Sequence, residues 1–544
     1  MNVEDLLKET LRSMGVDVSF VEVEVPKDES HGDISSPVAM ALAKELRNSP
    51  RSIAADIVKK IGSHEMFEKI DVAGPGFINF YLSRNYLYAE LNSFLMNPET
   101  YTKKNIGSGK RIQIEFVSAN PTGPLHLGHG RGAAVGSALA NLLRTAGFDI
   151  EREFYVNDAG RQVRLLGESV FARYRELCGA AYPFPEDGYK GDYVNDIAKS
   201  IYDKEGKRYA SSAFSDASAH LIGFSYQLML DEIRNDLRDF GVEFETFQSE
   251  RELFSRGDVT KMIDALREKG FIYEQEGAVW FRSSRFGDDK DRVIVKNDGQ
   301  YTYFASDIAY HYLKIRKGFY ELINIWGADH HGYIPRIKSV INAFGYDPAH
   351  LKVLLVQMVS LLRGGKPVQM SKRAGEFITL REIMDEIGTD TTRFIFLTRR
   401  PDSHLEFDLE VAKQQSAENP VFYVQYAYAR INSIFKKARE EGFDPDDASP
   451  SYLDRLTEEE EVRLIKKILY YPMVFEGAVH AREPHRITYY LQELAGIFHP
   501  YYNRHRVVGE DRELSAARLS LCRAIMIIIN EGLSVLGISA PEKM

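Results

Sequence analysis

The first residues that could carry chemistry form the motif His126-Leu127-Gly128-His129, which directly precedes a helical pattern. A helix N-terminus combines unpaired N–H groups with the positive end of the helix dipole, and both favour a phosphate. The imidazole rings would add donors, and Gly128 would let a nucleotide approach the backbone. A bare motif of this kind is more often an ordinary glycine-rich turn, so its place in the fold decides the matter.

The second group is Gln369-Met370-Ser371-Lys372-Arg373, which follows the Gly364-Gly365 turn. A lysine on such a loop can bring its charge onto phosphates while negative charge shifts between them. Taken alone, the run is better explained as a solvated basic turn. The run becomes evidence for phosphate binding only because it occurs together with the histidine motif.

Carboxylates form the third group. Glu115 lies inside an apolar strand pattern, and Asp307 lies four residues after Tyr303. An unpaired buried carboxylate is costly, so Glu115 should have a cationic partner, for which a substrate is one candidate. Asp307 could equally be a helix N-cap or part of a surface ion pair.

The pattern from Arg111 onward predicts a scaffold for these groups: a strand, a Gly/Pro loop, a helix rich in small residues, and a second strand. Further strands are predicted at 292–296, 301–304, 322–326 and 351–359. The pattern indicates a Rossmann-like, doubly wound parallel sheet, which binds ligands at the carboxyl ends of its strands. A charged helical stretch at about 167–247 is predicted to be an insertion.

The flanking regions predict two more domains. Residues 1–104 favour a small α+β domain, with helices near 4–13 and 37–47, strands near 18–25 and 76–82, and a polar linker at 101–110. After residue 412 strand patterns end, and amphipathic patterns at 419–440, 457–479, 486–499 and 515–536 predict an all-α helical bundle. The chain is therefore predicted to be a multidomain α/β protein with domains at 1–104, 105–410 and 411–544.

The helical domain opens with interleaved rings and cations. Tyr423, Tyr426 and Arg430 share one face at helical spacing. Rings can stack on exposed bases while cations meet phosphates, but an aromatic core with a charged face explains the spacing equally well. Arg504, with His505 and Arg506, forms a second candidate basic edge.

Composition excludes several classes of protein. With 69 Lys+Arg and 79 Asp+Glu the net charge is −10, so a nucleic-acid partner must meet local basic patches. Two cysteines are too few for a disulfide scaffold or a four-thiolate zinc site, and they suit the cytoplasm. The longest apolar run, 524–529, is far short of the roughly 20 residues of a membrane helix. We expect neither zinc nor a membrane partner.

The two nucleotide motifs together resemble the HIGH and KMSKS elements of class I aminoacyl-tRNA synthetases, in the same order. Within that class, the chain resembles bacterial arginyl-tRNA synthetases most specifically. The resemblance is carried by the segments IEFVSANPTGPLHLGHGRGAAVG, YVNDAGRQ, WGADHHGYIPRIK, AGPGFINF and GLSVLGISAPEKM. The resemblance covers nearly the whole chain. Its one departure is Gln369, which stands where that family has the first lysine of its KMSKS element.

This resemblance implies ATP-dependent activation of L-arginine to arginyl-adenylate, followed by transfer to the 3′-terminal ribose of tRNA(Arg). It implies Mg²⁺ bound with ATP, an activation step that requires bound tRNA, and a monomer. The implied catalytic residues are His126, His129 and Lys372. The implied ATP-binding residues are His126, Gly128, His129, Gly327, His330, Met370, Ser371 and Lys372. The implied arginine-binding residues are Glu115, Asn120, Tyr303, Asp307 and Asp329.

The same resemblance favours tRNA binding by the helical domain, with Tyr423, Tyr426, Arg430 and Arg504 as candidates. Which substrate is touched by Asp329, His330 or His331 stays open. A nucleotidyltransferase acting on a small molecule could share the histidine motif, but it would have little use for the helical domain. A non-catalytic RNA-binding relative would be free to lose His126, His129 and Lys372, which are all present.

Overall fold

The computed structural model describes residues 3–26, 28–368, 378–445 and 452–544. The predicted phosphate-binding residues Met370, Ser371 and Lys372, with Gln369, lie outside the described residues. The described residues form three successive parts: an N-terminal α+β part, a central part built on a parallel sheet, and a helical C-terminal part.

The N-terminal part packs helices on a three-stranded antiparallel sheet. Its elements are α1 (Val3–Ser13), β1 (Ile34–Ser36), α2 (Val38–Leu46), α3 (Pro50–Ile61), β2 (Phe67–Ala73), β3 (Phe77–Leu82), α4 (Arg84–Met96) and α5 (Pro98–Thr102). The strand order is β1-β3-β2, with the fully buried Ile78 and Phe80 on the central strand. The strand predicted at 18–25 is wrong: of this segment only Glu24 pairs, in a single bridge to Ser35 on the short β1.

The central part contains the longest succession of strands and helices. Its elements are β4 (Arg111–Glu115), α6 (Leu127–Thr145), β5 (Asp149–Val156), α7 (Arg161–Leu177), α8 (Asp192–Glu205), α9 (Phe214–Asp239), β6 (Thr246–Ser249), α10 (Glu250–Ser255), α11 (Asp258–Glu268), β7 (Ile272–Gln275), β8 (Ala278–Phe281), β9 (Arg292–Val295), α12 (Tyr303–Arg316), β10 (Glu321–Gly327), α13 (Ile334–Ala343), β11 (Leu351–Val356), β12 (Val359–Arg363), β13 (Lys366–Pro367), α14 (Leu380–Ile387), α15 (Thr389–Phe396), β14 (Leu405–Asp408) and α16 (Leu409–Ala412). The predicted helical insertion corresponds to α7, α8 and α9.

Five of these strands form one parallel sheet in the order β11-β10-β4-β5-β6. The chain leaves β4 through α6 toward β5 on one side and later adds β10 on the other side. This reversal opens a crevice at the carboxyl ends of β4 and β10, where doubly wound sheets bind ligands. Helix α6 lies very close to the sheet, because a Cβ on Gly136 would stand 2.3 Å from the Phe116 ring.

Two strand predictions in this region need correction. Residues 301–304 are not a strand: Tyr301 makes one bridge to Val295, and α12 begins at Tyr303. The backbone N–H of Thr302 bonds the carbonyl of Ile294 (3.0 Å), so the extended approach to the helix only imitates a strand. The predicted strand at 292–296 exists as β9, but it belongs to a separate antiparallel sheet, β7-β8-β9. The predicted strand at 351–359 divides into β11 and β12, which join different sheets.

The C-terminal part is helical, as predicted. Its helices are α17 (Pro420–Glu440), α18 (Glu459–Leu469), α19 (Tyr471–Ala481), α20 (His485–Arg504) and α21 (Arg512–Leu536). The predicted helix at 457–479 is two helices, because Pro472 starts a new one. Among the described residues α21 alone is long and apolar enough to cross a membrane, but 61% of that window is buried inside the protein, as in a core helix.

A buried arginine joins the helical part to the central part. Arg393 on α15 is fully buried and donates to the carbonyls of Phe240 (2.9 Å) and Leu536 (2.9 Å), at the C-terminal ends of α9 and α21. It also donates to the hydroxyl of Ser137 on α6 (3.1 Å). Gly537 ends α21 with φ +68°, and a Cβ there would stand 2.3 Å from the Arg393 guanidinium.

A second fully buried arginine, Arg131 on α6, connects that helix to the segments after β11 and before β14. Its guanidinium donates to the carbonyls of Gln357 (2.9 Å), Arg400 (2.8 Å) and Ser403 (2.8 Å). These carbonyls follow β11 and precede β14. Arg131 therefore holds the helix that begins with the histidine motif against two connecting segments.

Candidate active site

The histidine motif caps α6. His126 is the N-cap residue, and its Nδ1 accepts from the backbone N–H of Gly128 (3.1 Å). The Nδ1 of His129 accepts from the backbone N–H of His126 (3.4 Å), and the two rings stack with centroids 3.7 Å apart. Because Nδ1 accepts in both neutral rings, each ring proton lies on Nε2. The helix N-terminus therefore combines imidazole rings with backbone N–H groups, which are the kinds of donor that suit a phosphate.

The chain returns to the same place after the basic motif. Thr379 pairs with His126 in an antiparallel bridge, and the backbone N–H of Leu380 donates to the carbonyl of Leu125 (2.7 Å). The segment that follows the basic motif is thus bonded directly to the histidine motif. Residues 379 and 380 thus adjoin the residues at the start of the histidine motif.

A strained turn follows β4. The backbone N–H of Ser118 donates to the carbonyl of Phe116 (2.9 Å), which closes a γ-turn around Val117 at φ +68°. Such a φ is costly for a β-branched residue, and strain of this kind is characteristic of functional sites. The turn brings the Ser118 hydroxyl back to donate to Glu115 (3.1 Å).

The cationic partner expected for Glu115 is Lys314. The Lys314 ammonium, itself buried, donates to the Glu115 carboxylate (2.8 Å) and to the amide oxygen of Asn324 (3.0 Å). Burial favours the protonated carboxyl, but the charge of Lys314 and its hydrogen bond outweigh burial and lower the pKa of Glu115. Glu115 is therefore charged and neutralised within the protein.

Asp307 has a different environment. It is enclosed by protein on most sides yet keeps partial exposure, as expected of a residue that lines a recess. The hydroxyl of Tyr333 donates to its carboxyl, and none of the described Lys or Arg side chains forms an ion pair with it. Burial, reinforced by the charges of Glu250 and Glu115, raises the pKa of Asp307 to about 7.

Glu250 is the acidic residue that sequence reasoning missed. It is buried at the start of α10, directly after β6, and accepts from the hydroxyl of Ser306 (2.7 Å). Burial raises its pKa. The available signal was the N-cap pattern Ser249 to Glu252, which marks a helix start at the carboxyl edge of the sheet. We call the group of Glu115, Glu250 and Asp307 the acidic recess.

The other predicted arginine-binding residues are more exposed. Tyr303 begins α12, is 67% exposed, and places its hydroxyl beside Gly160. The amide of Asn120 donates to the side-chain oxygen of Gln162 (2.6 Å), so both predicted residues border the N-terminus of α7. Asp329, with 83% of its side chain exposed, lies in a 3₁₀ turn directly after β10.

The predicted adenosine-side residues lie at the end of β10. Gly327 is the last residue of that strand, and His330 lies three residues further on in the same 3₁₀ turn. The His330 ring makes an edge contact with Trp326 (6.4 Å between centroids). This end of β10 adjoins the end of β4 in the sheet, so these residues share an edge with the histidine motif.

In the helical part, three predicted tRNA-binding residues belong to one cluster. The Arg430 guanidinium lies 4.5 Å from the ring centroids of both Tyr426 and Tyr502, and it donates to the Tyr426 hydroxyl (3.0 Å). The carbonyl of Tyr423 contacts the ring of His499 (3.0 Å). The cluster is partly exposed, so it combines the two explanations of the sequence pattern.

Arg504 lies elsewhere and pairs with Glu460 (2.7 Å). It lines a groove of about 500 Å³ together with Lys437, Tyr502, His505 and Arg506. Its pairing partner Glu460 also belongs to the one described group of three possible metal ligands, with Glu458 and His505. Arg504 already pairs with one of the two carboxylates of that group.

Comparison with known proteins identifies three family models along the chain. Residues 1–82 match the arginyl-tRNA synthetase N-terminal domain, residues 90–434 the catalytic domain of class I tRNA synthetases (R), and residues 424–544 the DALR anticodon binding domain. The arginine–tRNA ligase of Citrifermentans bemidjiense is 51% identical over 97% of this chain and 96% of its own length.

Two solved structures are also similar. A putative arginyl-tRNA synthetase from Campylobacter jejuni is 40% identical with a TM-score of 0.78, covering 85% of this chain and 100% of that chain. Arginyl-tRNA synthetase from Thermus thermophilus shares the fold at 21% identity, with a TM-score of 0.78 and coverage of 100% and 99%.

Proposed function

Because this chain belongs to the arginyl-tRNA synthetase family, we propose that it joins L-arginine to tRNA(Arg) in two steps. The arginine carboxylate attacks the α-phosphate of ATP in line, giving arginyl-adenylate and pyrophosphate. A 3′-terminal ribose hydroxyl of tRNA then attacks the activated carbonyl and releases AMP. The supporting observation is that the acidic recess and the capped N-terminus of α6 both lie at the carboxyl edge of one parallel sheet.

The phosphate side of this proposal rests on α6. The imidazoles of His126 and His129 donate from Nε2 to phosphate oxygens, and the helix N-terminus adds its dipole. Lys372, with Met370 and Ser371, is assigned to ATP by its place in the basic motif and remains a prediction. Gly128 allows close approach, since a Cβ there would stand 3.1 Å from the His126 ring.

The amino-acid side rests on the acidic recess. Asp307 supplies the charge that the guanidinium meets, because the charge of Glu115 is already balanced by Lys314. Glu115 then acts as a positioned hydrogen-bond acceptor at the end of β4. Asn120 is assigned to the α-amino acid end, and Tyr303 to the same side. Asp329 lies in the turn after β10 with Gly327 and His330, on the arginine side of that turn in this proposal. The reaction needs no covalent enzyme intermediate, so catalysis comes from positioning and electrostatics.

Mg²⁺ enters this proposal as the counter-ion of ATP. The described groups at the N-terminus of α6 are imidazoles and backbone N–H groups, which suit phosphate oxygens but are not the oxygen ligands that Mg²⁺ prefers. They therefore do not form a resident magnesium site.

The helical part is proposed to bind tRNA through Tyr423, Tyr426, Arg430 and Arg504. Its support is the match to an anticodon-binding family and the exposed face of rings and cations beside the basic groove. Arginine activation is proposed to require bound tRNA, and the enzyme is proposed to act as a monomer in the cytoplasm.

The test is pyrophosphate exchange with each of the twenty amino acids, with and without tRNA. Among the twenty amino acids we expect only arginine to support exchange, and only when tRNA is present. Exchange with another amino acid would contradict the substrate, and exchange without tRNA would contradict the tRNA requirement. Failure of arginine to support any exchange would contradict the proposed reaction.

A further inference from the structure

A buried chain of hydrogen bonds lies beneath the acidic recess. Its first member is Lys314, whose ammonium donates to Glu115 (2.8 Å) and to the side-chain oxygen of Asn324 (3.0 Å). The side-chain nitrogen of Asn324 lies 3.0 Å from Nε2 of His311, and Nδ1 of His311 lies 2.8 Å from the backbone carbonyl of Asp307. The chain therefore connects two residues whose carboxyl groups belong to the recess, Glu115 and Asp307.

Two neighbouring strands and one helix bring these groups together. Asp307, His311 and Lys314 are spaced i, i+4 and i+7 on α12, so they form one stripe along that helix. Asn324 on β10 is the register partner of Glu115 on β4, so the two side chains stand side by side on one face of the sheet. The stripe on α12 thus bonds both strands that border the crevice.

Each hydrogen bond in this chain has a defined direction. The carbonyl of Asp307 can only accept, so Nδ1 of His311 carries the ring proton. Burial and the charge of Lys314 lower the pKa of His311 to about 4, so the ring is neutral and its Nε2 accepts from the amide of Asn324. The oxygen of Asn324 is thereby turned toward Lys314. The chain therefore donates in one direction, from the Lys314 ammonium to the Asp307 carbonyl.

The fold alone gives little reason for polar residues at these two positions. His311 is 3% exposed and Asn324 0% exposed, and the neighbours of Asn324 along β10 are Ile323 and Ile325. A strand inside a parallel sheet is usually an uninterrupted apolar run. Replacing a buried polar network by apolar side chains of similar volume is often neutral or stabilising. The function of His311 and Asn324 therefore lies in the groups that they orient.

We propose that His311 and Asn324 are positioning residues for the proposed arginine site. This inference rests on the proposed function. Asn324 holds the Lys314 ammonium against Glu115, and His311 ties the turn of α12 that carries Asp307 to β10. The two carboxyl groups are thereby kept at a fixed separation. A guanidinium requires such fixed acceptors, because its donors form a rigid planar fork.

The test is the double variant His311→Leu/Asn324→Leu in the full-length protein, assayed by pyrophosphate exchange with tRNA present. Leucine branches as asparagine does and is close to histidine in volume, and replacing both partners leaves neither of them unpaired. We expect Tm to fall by less than about 4 °C. The kcat/KM for arginine should fall about 10- to 100-fold, the scale for a small displacement of a positioning group. The KM for ATP should stay within twofold.

The two single variants complete a double-mutant cycle. His311→Leu and Asn324→Leu each interrupt the chain, so each should lower kcat/KM for arginine about as much as the double variant does. Each single variant also leaves the other residue unpaired, so its Tm should be below that of the double variant. Losses of kcat/KM that add in the double variant would mean that the two residues act separately, and this would overturn the proposal.

Ser35→Ala/Asn79→Leu is the matched control. Ser35 and Asn79 are buried register partners on β1 and β3 of the N-terminal part, and their side chains share a hydrogen bond of 2.8 Å. This control removes a buried polar pair far along the chain from the recess. At saturating tRNA it should leave kcat/KM for arginine within twofold of wild type. A loss equal to that of the test variant would overturn the proposal.

A loss of less than threefold in kcat/KM for arginine in His311→Leu/Asn324→Leu would also overturn it, as would an equal rise in the KM for ATP. The wild type distinguishes this failure from a failure of the proposed function. If the wild-type protein does not activate arginine with tRNA present, the reaction itself is wrong and the inference falls with it. If the wild type activates arginine and the double variant does so equally well, only the positioning role is wrong.

Discussion

Two regions of this protein bury charge in opposite ways. In the acidic recess three carboxyl groups lie close together, and among the described residues only Lys314 enters as a buried cation paired with one of them. At the two fully buried arginines, Arg131 and Arg393, the guanidinium has no carboxylate among its hydrogen-bond partners and is surrounded by backbone carbonyls. The recess has more carboxyl groups than cationic partners, whereas the two arginine sites have a cation and no carboxylate partner.

The difference shows how each region uses its charge. Each helix C-terminus carries about half a negative charge, so the ends of α9 and α21 together offset the Arg393 cation. Backbone carbonyls belong to the fold and satisfy that arginine permanently. Asp307 accepts from Tyr333 but has no ion-pair partner among the described residues, so a cationic ligand can supply its counter-charge. The structural arginines thus bind backbone carbonyls and do not occupy the carboxyl groups that the substrate arginine needs.

The largest expected effect tests the acid excess. Asp307→Asn keeps the shape of the side chain but removes the charge proposed to meet the guanidinium. We expect kcat/KM for arginine to fall about 10²–10³-fold, which corresponds to about 3–4 kcal/mol and is of the size expected for breaking a buried ion pair. The arginine-to-lysine ratio should narrow, while ATP affinity changes little. A loss below tenfold, or a collapse of ATP binding, would remove Asp307 from the guanidinium site.

The second effect separates Glu115 from Asp307. Glu115→Ala should lower both activity and stability, because it strands the buried Lys314 ammonium without its partner. The double variant Glu115→Ala/Lys314→Met should recover most of the lost stability but not the arginine activation. Tm and pyrophosphate exchange measured on the same samples decide this. Recovery of both quantities would mean that Glu115 serves the fold alone.

The third effect tests the other side of the comparison. Arg393→Met leaves the carbonyls of Phe240 and Leu536 without donors, and we expect a loss of about 2–5 kcal/mol in the free energy of unfolding. The KM for arginine should stay within twofold at a temperature where the variant is folded. Arg400→Met is the control, since that side chain is exposed. A raised arginine KM with unchanged stability would contradict the division between the two regions.

The smallest effect is a pH dependence. With a folded-state pKa of about 7, Asp307 is protonated below that pH, whereas the guanidinium stays charged. Arginine affinity should therefore rise about tenfold per pH unit up to pH 7 and level off above it. Calorimetric titration between pH 5.5 and 8.5 measures this, and Asp307→Asn should abolish it.

The same group also affects stability, with a definite sign. Because the ordinary pKa of the carboxyl is 3.8, the folded protein holds a proton between pH 3.8 and about 7 that the unfolded chain releases. The contribution of Asp307 to the free energy of unfolding therefore decreases as pH rises through this window. The free energy of unfolding, measured without arginine, should therefore decrease with rising pH in the wild type relative to Asp307→Asn.

Local patterns sufficed to predict much of this architecture. The strand β4, the small-residue helix α6 and the strand β10 carry signals within their own residues, so the sheet edge and the histidine motif could be placed from the sequence. The partners in the recess could not: Lys314 lies 199 residues from Glu115, and nothing local connects them. Glu250 was missed because β6 was not predicted. The segment 301–304 misled because an extended approach to a helix has the same side-chain pattern as a strand.

The Arg393 junction also sets an order of events during synthesis. Its carbonyl partner Leu536 lies 143 residues further along the chain, whereas its partner Ser137 precedes it by 256 residues. At translation rates of about 5–20 residues per second, roughly 7–29 s pass between the emergence of Arg393 and that of Leu536. During that interval α6, the helix that begins with the histidine motif, has already been synthesised. The Arg393 guanidinium still lacks its hydrogen-bond partner at the end of α21. The hydrogen bonds of Arg393 are therefore completed only after α21 has been synthesised.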